Sequence, residues 1–378
     1  MKIVVALDAF KGSLSSLEAG YAVKEGILSA DSSADVVVRA IADGGEGTLS
    51  ALLEANGGIT VRTQTVDALG RPLQAGFGLY EREGRRTAIV EAAQTIGLPL
   101  LPAPDETVAP RASSYGMGIQ IAAALRLGVD QILVALGGTG TTDGGAGLLI
   151  ALGAMVLDPH GQELDHTVGN PLWRGAVLAP GTLPRPSTEV RVLSDVRAPL
   201  TGSLGAAHAF GPQKGATRDQ VRLLDAHLEA WADTLECEFG GGLRNMPGAG
   251  AAGGSGAALA AMGARLEPGF DAVARETRIA EAMTGARLVV TGEGSIDQQT
   301  TWGKGPAGVA RLARSSGAIV VGLGGCVDRT IESGVFDAVM PIHSRPRPMV
   351  EALDPTVTRD ELNLTARELI RLSTALLH

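Results

Sequence analysis

Acidic residues set among glycines recur in this chain, in Ala42-Asp43-Gly44-Gly45-Glu46-Gly47-Thr48, Gly137-Gly138-Thr139-Gly140-Thr141-Thr142-Asp143-Gly144-Gly145-Ala146-Gly147 and Thr291-Gly292-Glu293-Gly294-Ser295-Ile296-Asp297. Glycine lets backbone N–H groups approach an anion closely, while carboxylates hold a cation or accept a proton, so the combination suits phosphate chemistry. Phosphoryl transfer is the first expectation. Asp8, Asp43, Asp143, Asp195 and Glu293 each follow a predicted strand. In open α/β sheets that is where ligands bind and where helix N-termini favour anions. Any one of these acids would serve equally as a helix cap or turn former; their repetition after successive strands points to a site. Lys11, just ahead of a helix, and Lys214, in Phe210-Gly211-Pro212-Gln213-Lys214-Gly215-Ala216, are candidate partners for a carboxylate or phosphate, although a lone lysine is more often solvated.

Other chemistries find less support. Pro247-Gly248-Ala249-Gly250-Ala251-Ala252-Gly253 contains G-x-G-x-x-G, with Asp271 further on, but no convincing strand precedes it, so a close-packed or phosphate-facing helix start is the better reading. No G-x-x-x-x-G-K-[ST] occurs, despite the lysine in Gly303-Lys304-Gly305, which argues against a P-loop kinase. The histidines form no H-E-x-x-H, and Gly253-Gly254-Ser255-Gly256 lacks the strand that a nucleophile elbow needs.

The elements that must hold these residues read as alternating α and β. Lys2 to Leu7 is a buried strand, and Ser15-Ser16-Leu17-Glu18 is a capping box opening a helix to about 29. A strand at 35–40 and a helix at 49–55 follow, then short strands near 59–66, 74–80 and 86–91. A helix near 115–127 precedes a strand at 131–136, with another helix beginning near Asp143. The segment 159–188 reads as irregular. After a strand at 190–194, Val221, Leu224, Leu228, Trp231 and Leu235 share one face of a helix. Strands at 287–291, 318–323 and 337–341, a helix near 303–315 and a last helix capped by Thr358 and Glu361 complete the pattern. The expected fold is α/β with two α/β domains: a discontinuous Rossmann/flavodoxin-like domain of residues 1–65 and 285–378, and an inserted α/β domain of residues 66–284. The cleft between them is the expected active site.

Composition predicts a soluble, folded protein and is compatible with a small anionic ligand. The chain has 378 residues, 45% of them hydrophobic, enough for two cores. Glycine, 52 residues, is about twice its usual ~7% and is concentrated in clusters, so the excess belongs to specialised loops. A net charge of −9 argues against a nucleic-acid partner. The apolar run from Ile3 is cut short by Asp8, too brief for a signal peptide or a membrane span, and Cys237 and Cys326 make no disulfide framework or zinc spacing. A cytoplasmic protein is expected; homo-oligomerisation is left open.

Taken in order, Asp8-Ala9-Phe10-Lys11-Gly12-Ser13-Leu14, the first acidic glycine motif, Gly144-Gly145-Ala146-Gly147, the Lys214 segment, Pro247 to Gly254 and Thr291-Gly292-Glu293-Gly294 resemble the bacterial glycerate kinase family across essentially the whole chain. The resemblance implies ATP-dependent phosphorylation of D-glycerate to 2-phosphoglycerate, with ATP and Mg²⁺ as cofactors. It implies substrate contacts from Asp8, Lys11, Ser13, Gly44, Gly45 and Glu46, and nucleotide or phosphate contacts from Gly138, Thr139, Thr142, Asp143, Lys214, Gly250 and Gly292. Asp195, Glu293 and Asp297 are the expected metal ligands; Asp195, Asp43 and Lys11 are the expected catalytic groups. Ala9, Thr139, Thr142, Ala198 and Ser295 depart from the family pattern. They leave room for a kinase of another small hydroxy acid, or for a catalytically silent sensor of nucleotide or metabolite.

Overall fold

The structure is a computed structural model that describes residues 1–301, 305–328 and 334–375. The strands are β1 (Lys2–Leu7), β2 (Asp35–Val38), β3 (Ile59–Val66), β4 (Pro72–Arg82), β5 (Arg85–Glu91), β6 (Gln131–Ala135), β7 (Val156–Leu157), β8 (Val177–Leu178), β9 (Glu189–Leu193), β10 (Arg265–Glu267), β11 (Leu288–Ile296), β12 (Ile319–Val327) and β13 (Ala338–Pro341). The chain divides into two compact units, one of residues 1–43, 50–55 and 270–378, the other of residues 44–49 and 56–269. The first unit is discontinuous, and β3 belongs to the second because it pairs along its length with β4.

In the first unit the strands run in the order β13-β12-β11-β1-β2, all parallel. Counted within the unit this is the doubly wound order 2-1-3-4-5, the flavodoxin-like arrangement. Alternation along β1 explains why both faces are covered. Ile3, Val5 and Leu7 join a core with Val23 and Ile27 of the helix Ser16–Ala30 and Leu362 and Ile370 of the helix Pro355–Ala375. Val4 and Ala6 join the opposite core with Val309 and Ala313 of the helix Gly305–Ser315. Such a strand, buried on both sides, reads as a continuous apolar run.

The second unit has a six-stranded sheet in the order β10-β9-β6-β5-β4-β3. β10, β9, β6 and β5 are mutually parallel, and β4 and β3 are added antiparallel. The long helix Arg218–Phe239 buries Val221, Leu224, Leu228, Trp231 and Leu235, the face expected from their spacing. The glycine- and alanine-rich helix Ser255–Ala261 is buried throughout, and a Cβ on Gly256 would fall 2.3 Å from the Gly248 carbonyl oxygen. Close packing is therefore the reason for its small residues, and no strand precedes it.

Three local expectations are corrected. The third acidic glycine motif is not a loop, because β11 continues through it to Ile296, paired with β12. The helix after Asp143 starts only at Ala146, since Gly144 and Gly145 adopt left-handed φ values of 63° and 73°. Thr358 and Glu361 do not cap the last helix, which begins at Pro355; Asp354 accepts the N–H groups of Thr356 and Val357 instead. The expected helix start at 303 and Lys304 lie outside the described residues.

Gly26 sits in the interior of Ser16–Ala30, where a Cβ would lie 2.2 Å from the Asn363 carbonyl oxygen of the neighbouring helix. Glycine to alanine inside a helix normally stabilises by about 0.5–1 kcal/mol. Here the contact is with rigid backbone, so the sign reverses. Gly26→Ala should lower Tm in thermal unfolding; an unchanged or higher Tm would show that the two helices are not held this closely.

Candidate active site

Parallel pairing of β1 with β11 sets Leu7 opposite Gly292, so Asp8, just past the end of β1, lies beside Glu293 in the last part of β11. These are the strands between which the sheet order reverses, the point where doubly wound sheets bind ligands. The junction is held by the Asp8 N–H to the Gly292 carbonyl at 2.8 Å and the Thr291 hydroxyl to the Ala6 carbonyl at 2.7 Å. A Cβ on Gly292 would fall 1.9 Å from the Leu323 carbonyl oxygen, so this glycine serves the β11–β12 contact.

The turn after β1 is closed on itself by Phe10 N–H to the Leu14 carbonyl at 2.9 Å and Ser13 N–H to the Phe10 carbonyl at 2.8 Å, with Gly12 in the left-handed region. Ser13 donates to the Thr358 hydroxyl at 2.6 Å, tying the turn to the last helix. Ser16 donates to the Leu7 carbonyl at 2.6 Å and accepts the Ile41 N–H at 3.1 Å, which joins the end of β1 to the segment leading to Asp43.

These residues border a cavity of about 670 Å³ contained in the first unit. Asp8, Lys11, Ser13, Asp43, Glu293 and Asp297 line it, so the structure brings six of the expected site residues together. Thr300 donates to Glu293 at 2.6 Å and accepts the Asp297 N–H at 3.0 Å, fixing both acids through one hydroxyl. Burial first, and then the charges of Asp43 and Glu293, push the Asp8 carboxyl up to about 7, against the Ala9 N–H bond and the Lys11 charge. Among the described residues no group of three or more His, Cys, Asp or Glu forms a ready-made metal cage. Magnesium, however, is usually held by one or two carboxylates plus substrate phosphates, and a cation would relieve the repulsion felt by Asp8; the donor chemistry fits.

The other expected residues lie in the second unit. Asp195 follows β9 and accepts the Gly269 N–H at 2.8 Å. Gly44 packs where a Cβ would lie 2.6 Å from the Leu193 carbonyl oxygen, and its own carbonyl accepts the Gly137 N–H at 3.0 Å; Glu46 is exposed. Asp143 is buried and accepts both the N–H and hydroxyl of Ser114, at 2.7 and 2.8 Å, and the N–H groups of Gly145 and Gly147, each at 3.2 Å. Burial raises its pKa; those bonds oppose the shift. Lys214 is also buried, donating to the Thr141 carbonyl at 2.6 Å, and burial pushes its pKa down to about 8 against the Asp143 charge. Thr139 and Thr142 are buried, Gly138 is left-handed, and Gly250 donates to the Ala198 carbonyl at 3.0 Å. In this loop cluster the Asp143 and Lys214 side chains bond backbone groups of the loop and of Ser114.

Sequence reasoning missed several residues. Glu91 ends β5 buried and accepts Leu49 N–H at 2.9 Å; burial raises its pKa while bonds from Leu49, Gln94 and Gly47 lower it. It thus anchors the end of the first glycine motif. Its signal was a carboxylate closing the apolar strand Ala88-Ile89-Val90. Cys326, His343, Arg347, Met349 and Leu353 line the first unit's cavity but belong to no acidic glycine motif, so the sequence offered no comparable signal.

Because the folded-state pKa of Asp8 lies above the ordinary 3.8, the folded protein binds this proton more tightly than the unfolded chain. Its ionisation therefore costs stability progressively from about pH 4 to about pH 7. Asp8→Asn should raise Tm at about pH 8, and the gain should shrink as the pH falls towards about 5. A Tm difference independent of pH would refute the burial of this charge.

Comparisons with known proteins place the chain in a family. A model described as the glycerate kinase family matches residues 3–374. The chain is 38% identical over 374 residues to a glycerate kinase of Bacillus subtilis (strain 168), covering 98% of this chain and 97% of the relative. It is 38% identical over 329 residues to a glycerate 2-kinase of Escherichia coli (strain K12), with coverage of 86% and 85%. A crystal structure from Salmonella typhimurium LT2, described as glycerate kinase 2, matches with a TM-score of 0.84 at 35% identity, covering 99% of this chain and 98% of that one. With the family model matching nearly from end to end, and with relatives of this identity covering both chains, the protein belongs to the glycerate kinase family.

Proposed function

We propose that the chain transfers the γ-phosphoryl group of ATP to the 2-hydroxyl of D-glycerate, giving 2-phosphoglycerate and ADP. The observation that carries this reading is the meeting of Asp8, Asp43, Glu293 and Lys11 around one cavity at the topological switch point. Family membership supplies glycerate as the acceptor, and the Escherichia coli relative, named a 2-kinase, supports the position of transfer.

Phosphoryl transfer asks a protein mainly for positioning and charge stabilisation. Lys11 would draw in the glycerate carboxylate or the transferring group. Asp8 would accept the hydroxyl proton as the new O–P bond forms and the bond to ADP breaks. Its carboxyl, poised near neutrality, suits a general base, and Asp43 beside it would orient the same hydroxyl. Glu293, held by Thr300, and Asp297 would hold Mg²⁺, which when bound offsets phosphate charge. Asp195, the other acid expected to serve catalysis or metal binding, is anchored through Gly269 in the second unit.

The test is ADP formation on adding D-glycerate, with phosphorus NMR of the product. A signal for 2-phosphoglycerate is expected. Turnover confined to other hydroxy acids would shift the substrate assignment, and ATP binding without turnover of any acceptor would favour a sensor. Asp8→Asn and Asp43→Asn should each lower kcat by roughly 10²–10⁴-fold. Near-normal kcat in Asp195→Asn would remove that residue from the chemistry.

A further inference from the structure

The first unit's cavity has a second wall that glycerate cannot use. Opposite in character to the acids at the strand ends, it is formed by Ile342 and by the short helix Met349–Ala352 with Leu353. Met349 is 73% exposed and Leu353 40% exposed, both at the cavity's edge, and Val350 beside them is 87% exposed. Solvent-facing apolar side chains grouped on a pocket rim mark a ligand surface more often than chance exposure. His343, which also lines the cavity, has an enclosed Nδ1 with no hydrogen-bond partner among the described residues.

Glycerate is a short hydroxy acid with no hydrocarbon face, and its carboxylate and hydroxyls would gain nothing from Met349 or Leu353. The cavity, about 670 Å³, also falls within the range of about 300–1,000 Å³ typical of pockets for much larger ligands. A kinase needs a place for a second substrate, one with a flat apolar ring at one end and phosphates at the other. Methionine is suited to covering such a ring because its unbranched, polarizable chain adapts to the surface it meets.

We infer that the Met349–Leu353 shelf is the seat of the purine ring of ATP, with the triphosphate directed towards Asp8, Asp43 and Glu293. The short helix is positioned for this by the Arg347 guanidinium, which joins Glu351 at 2.6 Å and also pairs with Glu361 of the last helix. Glu361 in turn accepts the Ser344 N–H at 2.9 Å and its hydroxyl at 2.8 Å, so the whole segment from 344 to 353 is braced against one buried carboxylate. The shelf is therefore built before any nucleotide arrives. This inference rests on the kinase reading of the same cavity.

Cys326 lines the cavity and is exposed, which supplies a reporter independent of turnover. In full-length protein carrying Cys237→Ser, labelling of Cys326 by a bulky maleimide should slow when adenosine is added, and D-glycerate should protect less. Protection by D-glycerate alone, or by neither, would overturn the assignment whether or not the protein turns over. In steady-state assays, the double change Met349→Asp and Leu353→Asp should raise KM for ATP about tenfold or more, since together they remove apolar contact of the order of 1.4 kcal/mol. KM for D-glycerate should stay within about twofold, as expected for a residue outside its contacts. A rise confined to the D-glycerate KM would place the acceptor on the shelf; loss of all glycerate-dependent ADP formation in the unaltered protein would instead defeat the kinase reading, leaving the labelling result to stand alone.

Discussion

Everything in the first unit's cavity depends on the pairing of β1 with β11. Ala6 and Thr291 lie 285 positions apart in sequence, yet their hydrogen bond at 2.7 Å fixes the register that sets Asp8 beside Glu293. A slip by one residue would turn every side chain of a strand to the opposite face. β1 tolerates no such slip, because alternate residues are committed to two different cores. The apolar packing of the sheet is thus what holds carboxylates in proximity, although their charges oppose it. Chain entropy reinforces the same arrangement: the intervening second unit has its own core, so the long connection is not a floppy loop that must be closed.

That opposition explains the electrostatics of the site. An acid at the floor of a cavity, near two others, is costly to ionise, and the fold accepts the cost at Asp8 because β1, β11 and the helix Ser16–Ala30 fix its position by other bonds. Perturbed acids cluster at functional sites for this reason. Burial alone does not distinguish them. Asp143 and Glu91 are more deeply enclosed than Asp8, and each accepts backbone N–H groups, from Ser114, Gly145 and Gly147 for Asp143 and from Leu49 for Glu91. Their carboxylates satisfy backbone. Asp8 accepts one N–H from its neighbour and otherwise meets charge, which leaves it suited to a proton or a cation.

The sequence made the fold legible where a local rule was strong. The capping box at Ser15 and Glu18 formed as its spacing required, and the apolar face of Arg218–Phe239 turned inward as its periodicity required. Of the five acids expected after strands, Asp8, Asp43 and Glu293 line one cavity, whereas Asp143 and Asp195 belong to the second unit. Strand length was less readable: glycine in Thr291-Gly292-Glu293-Gly294 suggested a loop, but Gly292 allows β12 to approach β11 closely. Thr358 and Glu361 imitate a capping box while serving longer-range bonds to Ser13, Ser344 and Arg347. Local spacing cannot distinguish a side chain that bonds its own helix from one that bonds a segment far away.

Glycine consequently has two separate meanings in this chain. Around Asp143 it answers packing: a Cβ on Gly253 would fall 2.0 Å from the Thr141 carbonyl oxygen, and one on Gly144 would fall 2.6 Å from Trp231, whose indole donates to the Gly144 carbonyl. Lys214 then closes the same knot from beneath Thr141. In the turn after Asp8, by contrast, Gly12 meets only the ends of Leu353 at 3.9 Å, ordinary contact, and its left-handed φ is what folds Lys11 and Ser13 round the cavity. The same residue type therefore shapes the wall of a cavity in one place and a solid loop in the other. What separates the two is whether the space a side chain would occupy is already filled by backbone.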